Sequence, residues 1–204
     1  MFTDTEEKIR RKNQILFTRE SLCLQELRHL LCRQSHLTIV LWAFDCLQIP
    51  VEILQKKYPE ESAAKDAFDV CLAWAHGAVK MPAAKRGILT CHAAAKKITS
   101  KEDIALFHAV GQGCSAVHVE THALGLVFYE LTAVVIRCGY KNYEEPIREK
   151  IGFYTQKLLW WQEHTTEYQK NQTWAAFLTN PAAVNKEFLL LSVSKSPKDR
   201  AFRL

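Results

Sequence analysis

Chain-breaking residues are scarce. Only seven glycines and six prolines punctuate 204 residues. Between them run long stretches rich in alanine, leucine and lysine, the residues that lose least on entering a helix. No Asn-Gly or Asp-Gly hairpin signal and no sustained apolar–polar alternation is present. The chain therefore reads as all-α, a single-domain bundle of about seven to nine helices. At 204 residues and 48% hydrophobic composition it has enough apolar matter for one sizeable core.

The apolar positions recur at helical spacing. Thr3-Asp4-Thr5-Glu6 resembles a capping box and predicts a helical region over about 4–33, broken near Thr18–Ser21. Ile39, Trp42, Ala43 and Cys46 place a helix over 35–48, with Pro50 stopping or kinking it before a short helix over 51–57. Ser62 is a candidate N-cap for a helix to about Val79. Pro82 suits the first turn of the next, ending near Ile98. Ser100-Lys101-Glu102-Asp103 is a further start, with carboxylates favourable in the first turn. The pattern then runs to Cys138, with a break near 119–121. Gly139 is a C-cap, and a long helix follows over 144–170. Asn180-Pro181 reads as a helix start, FLLL as an apolar anchor, and the tail SKSPKDRAFRL as mobile. Residues 1–34 form an N-terminal segment, 35–170 the core, and 171–204 a C-terminal helix and tail packed on the same domain.

The N-terminal residues, MFTDTEEKIRRKNQ, are polar and lack the apolar stretch of a signal peptide. No run approaches the ~18 apolar residues that a spanning helix needs, so no membrane association is expected. Seven widely spaced cysteines without a CxxC argue against a disulfide framework or a thiolate zinc site and favour a reducing cytoplasm. The formal charge is +5, but the basic residues are dispersed and not interleaved with aromatics, which disfavours nucleic acid.

A few polar or bulky residues sit where core is expected: Trp42, Asp45, Trp74, Arg86, His92, His118 and His122. His118 and His122 fall on one face if their segment is helical and are the candidate metal pair. However, HExxH is absent and Glu120 stands at the wrong spacing, so hydrogen bonding between helices is favoured and no metal or other cofactor is expected. Asp45 lies inside an apolar helix and needs a partner, with Arg86 or a histidine as candidates. Cys91-His92 and Cys114/His118 lack the local signature of a thiol nucleophile. Gly111-Gln112-Gly113 is a lone GxG in a helical pattern, suited to close helix approach rather than to phosphate. Trp160 and Trp161 are adjacent, so either one packs and the other sits at a rim as a candidate interface anchor, or the C-terminal segment covers both.

The ordered series LWAFDC, LAWAHG, AAKRG…CHAAA and AVGQGCSAVHVETHALG resembles the Imm-5-like immunity proteins of bacterial polymorphic-toxin systems. That family shows a W-A-x-D-C helix, a W-A-x-G helix, an arginine followed by an H-A-A helix, and a final H-V-x-x-H-A motif. The likeness spans about Leu37 to Trp161 and falls on Trp42, Asp45, Trp74, Gly77, Arg86, His92, His118 and His122. Trp161-Gln162 matches the W-Q that often ends the family's last helix. Gly87 and Phe107-His108 depart from the pattern, where smaller, alanine-like residues are expected.

The resemblance implies a non-enzymatic protein that binds and neutralises a cognate toxin. The polar series is then either the scaffold or the recognition cleft. Inhibitors of basic nucleases are usually acidic, so this chain's positive balance points to an acidic or neutral toxin. The alternative is an enzyme or binder of a small ligand or metal, using a cleft lined by Asp45, Arg86, His92, His118 and His122. A scaffold that oligomerises through the LLWWQ helix is a third reading.

Overall fold

The structure is a computed structural model that describes residues 1–193. Nine α-helices and no strand occur among the described residues: α1 Thr3–Arg10, α2 Gln25–Leu31, α3 His36–Lys57, α4 Ala63–Ala75, α5 Met81–Ala94, α6 Lys101–Ser115, α7 His122–Arg137, α8 Glu144–Lys170 and α9 Lys186–Val193. The all-α expectation holds. The tail over 194–204, expected to be mobile, lies outside the described residues.

Several boundaries follow from single side chains. Ser35 caps α3 by accepting from the Thr38 N–H, and Ser100 caps α6 by accepting from Asp103. Gly139 takes φ +62° after α7. Its N–H and that of Tyr140 return to the carbonyls of Ile136 and Val135, closing the helix end. Pro82 sits in the first turn of α5.

Other boundaries differ from the sequence reading. The Thr3–Glu6 capping box does not form: the N-cap is Phe2, and Asp4 instead accepts from Lys8 and Ser21. The break after α1 is longer than expected, running to a 3-10 turn at Leu22–Leu24, and part of it packs against the core. Leu16 and Phe17 are buried there, and the Leu16 N–H donates to Thr132. Pro50 does not end α3, which runs on for seven residues. Proline deprives the Cys46 carbonyl of its helical partner, but Val51 and Leu54 beyond it are buried and hold the helix in line. Helix α4 stops at Ala75, where Gly77 turns the chain with φ +76°. Asn180-Pro181 starts no helix. Asn185 caps α9 instead, accepting from the N–H groups of Glu187 and Phe188.

Helix α3 lies at the centre, packed on α4, α6, α7 and α8, while α6 and α7 form the most extensive pair. By length and composition α3 is also apolar enough to cross a membrane, contrary to the sequence reading. However, 72% of its apolar window is buried inside the protein, as in a core helix. Trp42 and Leu47 of α3, Phe107 of α6 and Tyr154 of α8 are all but inaccessible.

The flanking segments attach by polar pins. Glu187 is buried between Arg28, at 2.7 Å, and Arg19, at 3.0 Å. Asn185 also donates to the carbonyls of Leu31 and Gln34 at the end of α2. FLLL is not an anchor: Leu191 is buried, but Phe188, Leu189 and Leu190 are about half exposed. With Glu187 and Leu191 turned inward four residues apart, the residues between them face out.

Candidate functional site

Three helices each turn a short row of side chains into one groove. Leu41, Phe44, Asp45 and Gln48 come from α3, Phe68 and Leu72 from α4, and Phe153, Gln156, Lys157, Trp160 and Trp161 from α8. The spacings of three and four are what place each row on one helix face. His76, Tyr168, Gln172 and Trp174 close the far end. The volume is about 770 Å³, within the range of ligand-sized sites.

Asp45 organises the groove floor. Its Oδ1 accepts from Lys157 Nζ at 2.9 Å and its Oδ2 from Trp161 Nε1 at 2.9 Å. These are its partners, in place of the expected Arg86 or histidine, because α8 and not α5 lies against this face of α3. Trp161 is buried and Trp160 is 47% exposed. Neighbouring residues on a helix point about 100° apart, so one indole packs while the other stands on the rim. Trp160 stacks on His164, with centroids 4.1 Å apart, and meets Trp161 edge-on at 4.7 Å.

The end wall is tied to α4. His76 Nδ1 donates to the Thr173 carbonyl at 2.8 Å, and its ring stacks on Trp174 at 4.3 Å. The Ala175 N–H reaches back to the Ala75 carbonyl.

The remaining residues singled out in the sequence do not line this groove. Trp42 is core: its Nε1 donates to the Tyr154 carbonyl, and Tyr154 in turn donates to buried Glu130 at 2.6 Å. Trp74 is buried against Phe177 and faces His118 at 6.2 Å. Arg86 is exposed on α5 and makes no hydrogen bond or ion pair with the described residues. Gly87 is a requirement of packing, since a Cβ there would lie 2.6 Å from Val70.

His118 and His122 do not share a helix face. α6 ends at Ser115 and α7 begins at His122, leaving His118 exposed in the connection. His122 Nδ1 donates to Gln112 at 2.9 Å. Among the described residues no group of three or more His, Cys, Asp or Glu is arranged to hold a metal. Glu120 and Thr121, in the same connection, fasten the C-terminal segment: Glu120 accepts from the Lys186 N–H at 2.5 Å, and the Thr121 carbonyl from Arg19.

His92 pairs with His108, which the sequence reading had not singled out as functional. Their Nδ1 atoms are 2.8 Å apart. Burial, with smaller repulsion from His108 and His122, pushes His92 down to about 4. Burial disfavours a nucleophilic role for the cysteines beside the histidines. Burial raises Cys91 to about 12 and Cys114 well above the usual thiol range, whereas attack needs the thiolate.

The sequence reading missed Phe68, Phe153, Tyr168 and Trp174 in the groove, and the Arg28–Glu187 pair. Phe68, Phe153 and Tyr168 are ordinary residues at ordinary helical spacing, and Trp174 lies in the irregular connection after α8. Only the packing of α4 and α8 on α3, with the 171–185 connection closing the end, brings the aromatics together.

Comparison with known families decides where the chain belongs. Residues 29–157 match the family described as "Imm-5 like putative immunity protein". The chain belongs to this Imm-5-like family. None of the curated proteins and none of the solved structures compared with it matches significantly. The Imm-5-like match ends at Lys157. It therefore includes the groove floor at Asp45 and Lys157, while Trp160, Trp161, Tyr168 and Trp174 lie beyond it.

Proposed function

We propose that this Imm-5-like protein neutralises a cognate protein toxin by direct, non-enzymatic binding, and that the aromatic groove between α3, α4 and α8 is the contacting face. One observation carries the reading. The only two tryptophans adjacent in sequence place one indole on the rim and fix the other to Asp45 on the floor. Buried aromatic anchors beside pre-ordered rim aromatics are the usual energetic centre of protein interfaces. The groove is held by hydrogen bonds before any partner arrives, which lowers the ordering cost of association.

Asp45 lines the groove without Arg86, His92, His118 or His122, which supports this reading over an Asp/Arg/His cleft enzyme, because catalysis needs its groups within reach of one substrate atom. Seven free cysteines, six of them buried, support action in a reducing cytoplasm. The groove carries no net charge of its own and so suits a neutral toxin surface, or an acidic one helped by the chain's positive balance.

The test is co-expression of the chain with the toxin encoded beside it. Restored growth and a co-eluting complex are expected, both lost when Trp160→Ala is combined with Phe153→Ala. Neutralisation unchanged by that double variant would remove the groove from the account. Neutralisation by covalent change to the toxin, read by intact mass, would overturn the binding mechanism.

A further inference from the structure

We infer that the segment of the partner seated in the groove is uncharged and apolar, gripped by aromatic faces and by hydrogen bonds to its main chain. The identity of that partner rests on the functional reading above; the groove's chemical preference does not.

Charge gives the first argument. Among the described lining residues Asp45 is the one carboxylate and Lys157 the one ammonium, and they neutralise one another at 2.9 Å, while His76 has its Nδ1 engaged with the Thr173 carbonyl and its face with Trp174. A charged ligand group would have to displace one of them or stay unpaired in an aromatic wall. Either outcome is unfavourable and acts as rejection.

The second argument is the balance of the lining. Phe44, Phe68, Phe153, Trp160, Trp161 and Trp174 supply the apolar surface. Between them stand three exposed glutamines, Gln48, Gln156 and Gln172, none bonded to another described residue. A primary amide offers both donors and an acceptor, the complement of a peptide group. Aromatic troughs with amide or hydroxyl edges are a recurring way to bind extended, proline-containing segments. Trp174 adds an indole N–H that is buried without an acceptor. That wall therefore holds a donor no described residue has satisfied.

The experiment follows the five indole N–H resonances of the ¹⁵N-labelled full chain. The probe is a blocked decapeptide of proline, leucine and tryptophan. Its twins carry aspartate or lysine in place of leucine, and N-acetyl-tryptophanamide serves as the small-molecule arm. With the neutral peptide, the resonances of Trp160, Trp161 and Trp174 shift while those of Trp42 and Trp74 stay fixed. Binding is at least tenfold weaker for both charged twins and for the small amide, and at least tenfold weaker in Trp160→Ala. It is several-fold weaker in Gln48→Ala/Gln156→Ala. Equal binding of either charged twin, equal binding of the small amide, or no shift at the three groove indoles overturns the inference. A chain that binds the peptide but neutralises no toxin loses the functional reading and keeps this one. A chain that neutralises its toxin yet prefers a charged twin loses only this one.

Discussion

Asp45 of α3 and Trp161 of α8 are joined by a 2.9 Å hydrogen bond from the indole Nε1 to Oδ2, and this contact sets the floor of the groove. Lys157 fills the other carboxylate oxygen from the more exposed side. The two partners differ in what removal leaves behind. In Asp45→Ala a buried indole N–H loses its acceptor, a loss of about 1–3 kcal/mol. In Lys157→Ala only a half-exposed ion pair disappears, worth about 0–1 kcal/mol. Urea melts should therefore rank Asp45→Ala well below Lys157→Ala. Equal losses would mean that the lysine, not the indole, holds the carboxylate.

Glu187 is buried between Arg28 and Arg19 and pins α9 to the body. Removing one member of a buried ion pair typically costs about 3–5 kcal/mol. Here the chain has an escape, because α9 is short and its outward residues are already half exposed. Glu187→Ala should therefore release the segment instead of unfolding the core. Hydrogen exchange should accelerate over 185–193, with a small change in global melting. A large fall in melting temperature with α9 still protected would contradict this.

The fold was legible because helix signals are local. Ser35, Ser100 and Gly139 each mark a boundary through a bond to their own neighbourhood, and α8 runs over the range that its periodicity predicts. Pro50 was misread because its cost is local while its compensation, the burial of Val51 and Leu54, is tertiary. The same distinction divides the site. Adjacency on a helix pointed Trp160 and Trp161 in different directions, but whether the C-terminal segment also covered the outer indole was not local information, and Trp160 is left on the rim. The partner of Asp45 was not, since nothing local says that α8 rather than α5 covers that face of α3. His118 and His122 looked like a pair only while their segment was taken as helical. The turn at 116–121 separates them and turns Glu120 to the C-terminal segment.

Gly111 of α6 lies against the His92 ring of α5. A Cβ there would lie 2.5 Å from the His92 ring. Gly111→Ala should push the imidazole away from His108 and cost about 1–3 kcal/mol as overpacking. Because the clash is with a side chain and not with backbone, His92→Ala in the same chain should recover part of the loss. A double-mutant cycle in urea measures that coupling, and strict additivity would place the strain elsewhere.

The His92–His108 contact makes stability depend on pH. The 2.8 Å Nδ1–Nδ1 separation and the 5.1 Å centroid separation place the nitrogens between the rings, so one N–H points at the other's lone pair. A single proton occupies that line, and protonating both Nδ1 atoms sets two N–H groups head to head. Around the pair stand His122 and Gln112, and Tyr129 lies against His108. Burial lowers His92 to about 4, and lowers His108 and His122 as well. The unfolded chain, with ordinary histidines near 6.5, takes up protons first as pH falls. Stability is thus complete above about 6.5, declines between 6.5 and about 4, and declines no further from His92 below that. Partial exposure of the ring reduces the contribution of His92 to about 1–2 kcal/mol. Asp103, held low by Lys57, Tyr58 and Ser100 despite its burial, loses its contribution only at more acid pH. Melts between pH 4.5 and 7.5 keep the two apart. His92→Gln should flatten the dependence in that window by more than half; an unchanged slope would assign the proton uptake to other groups.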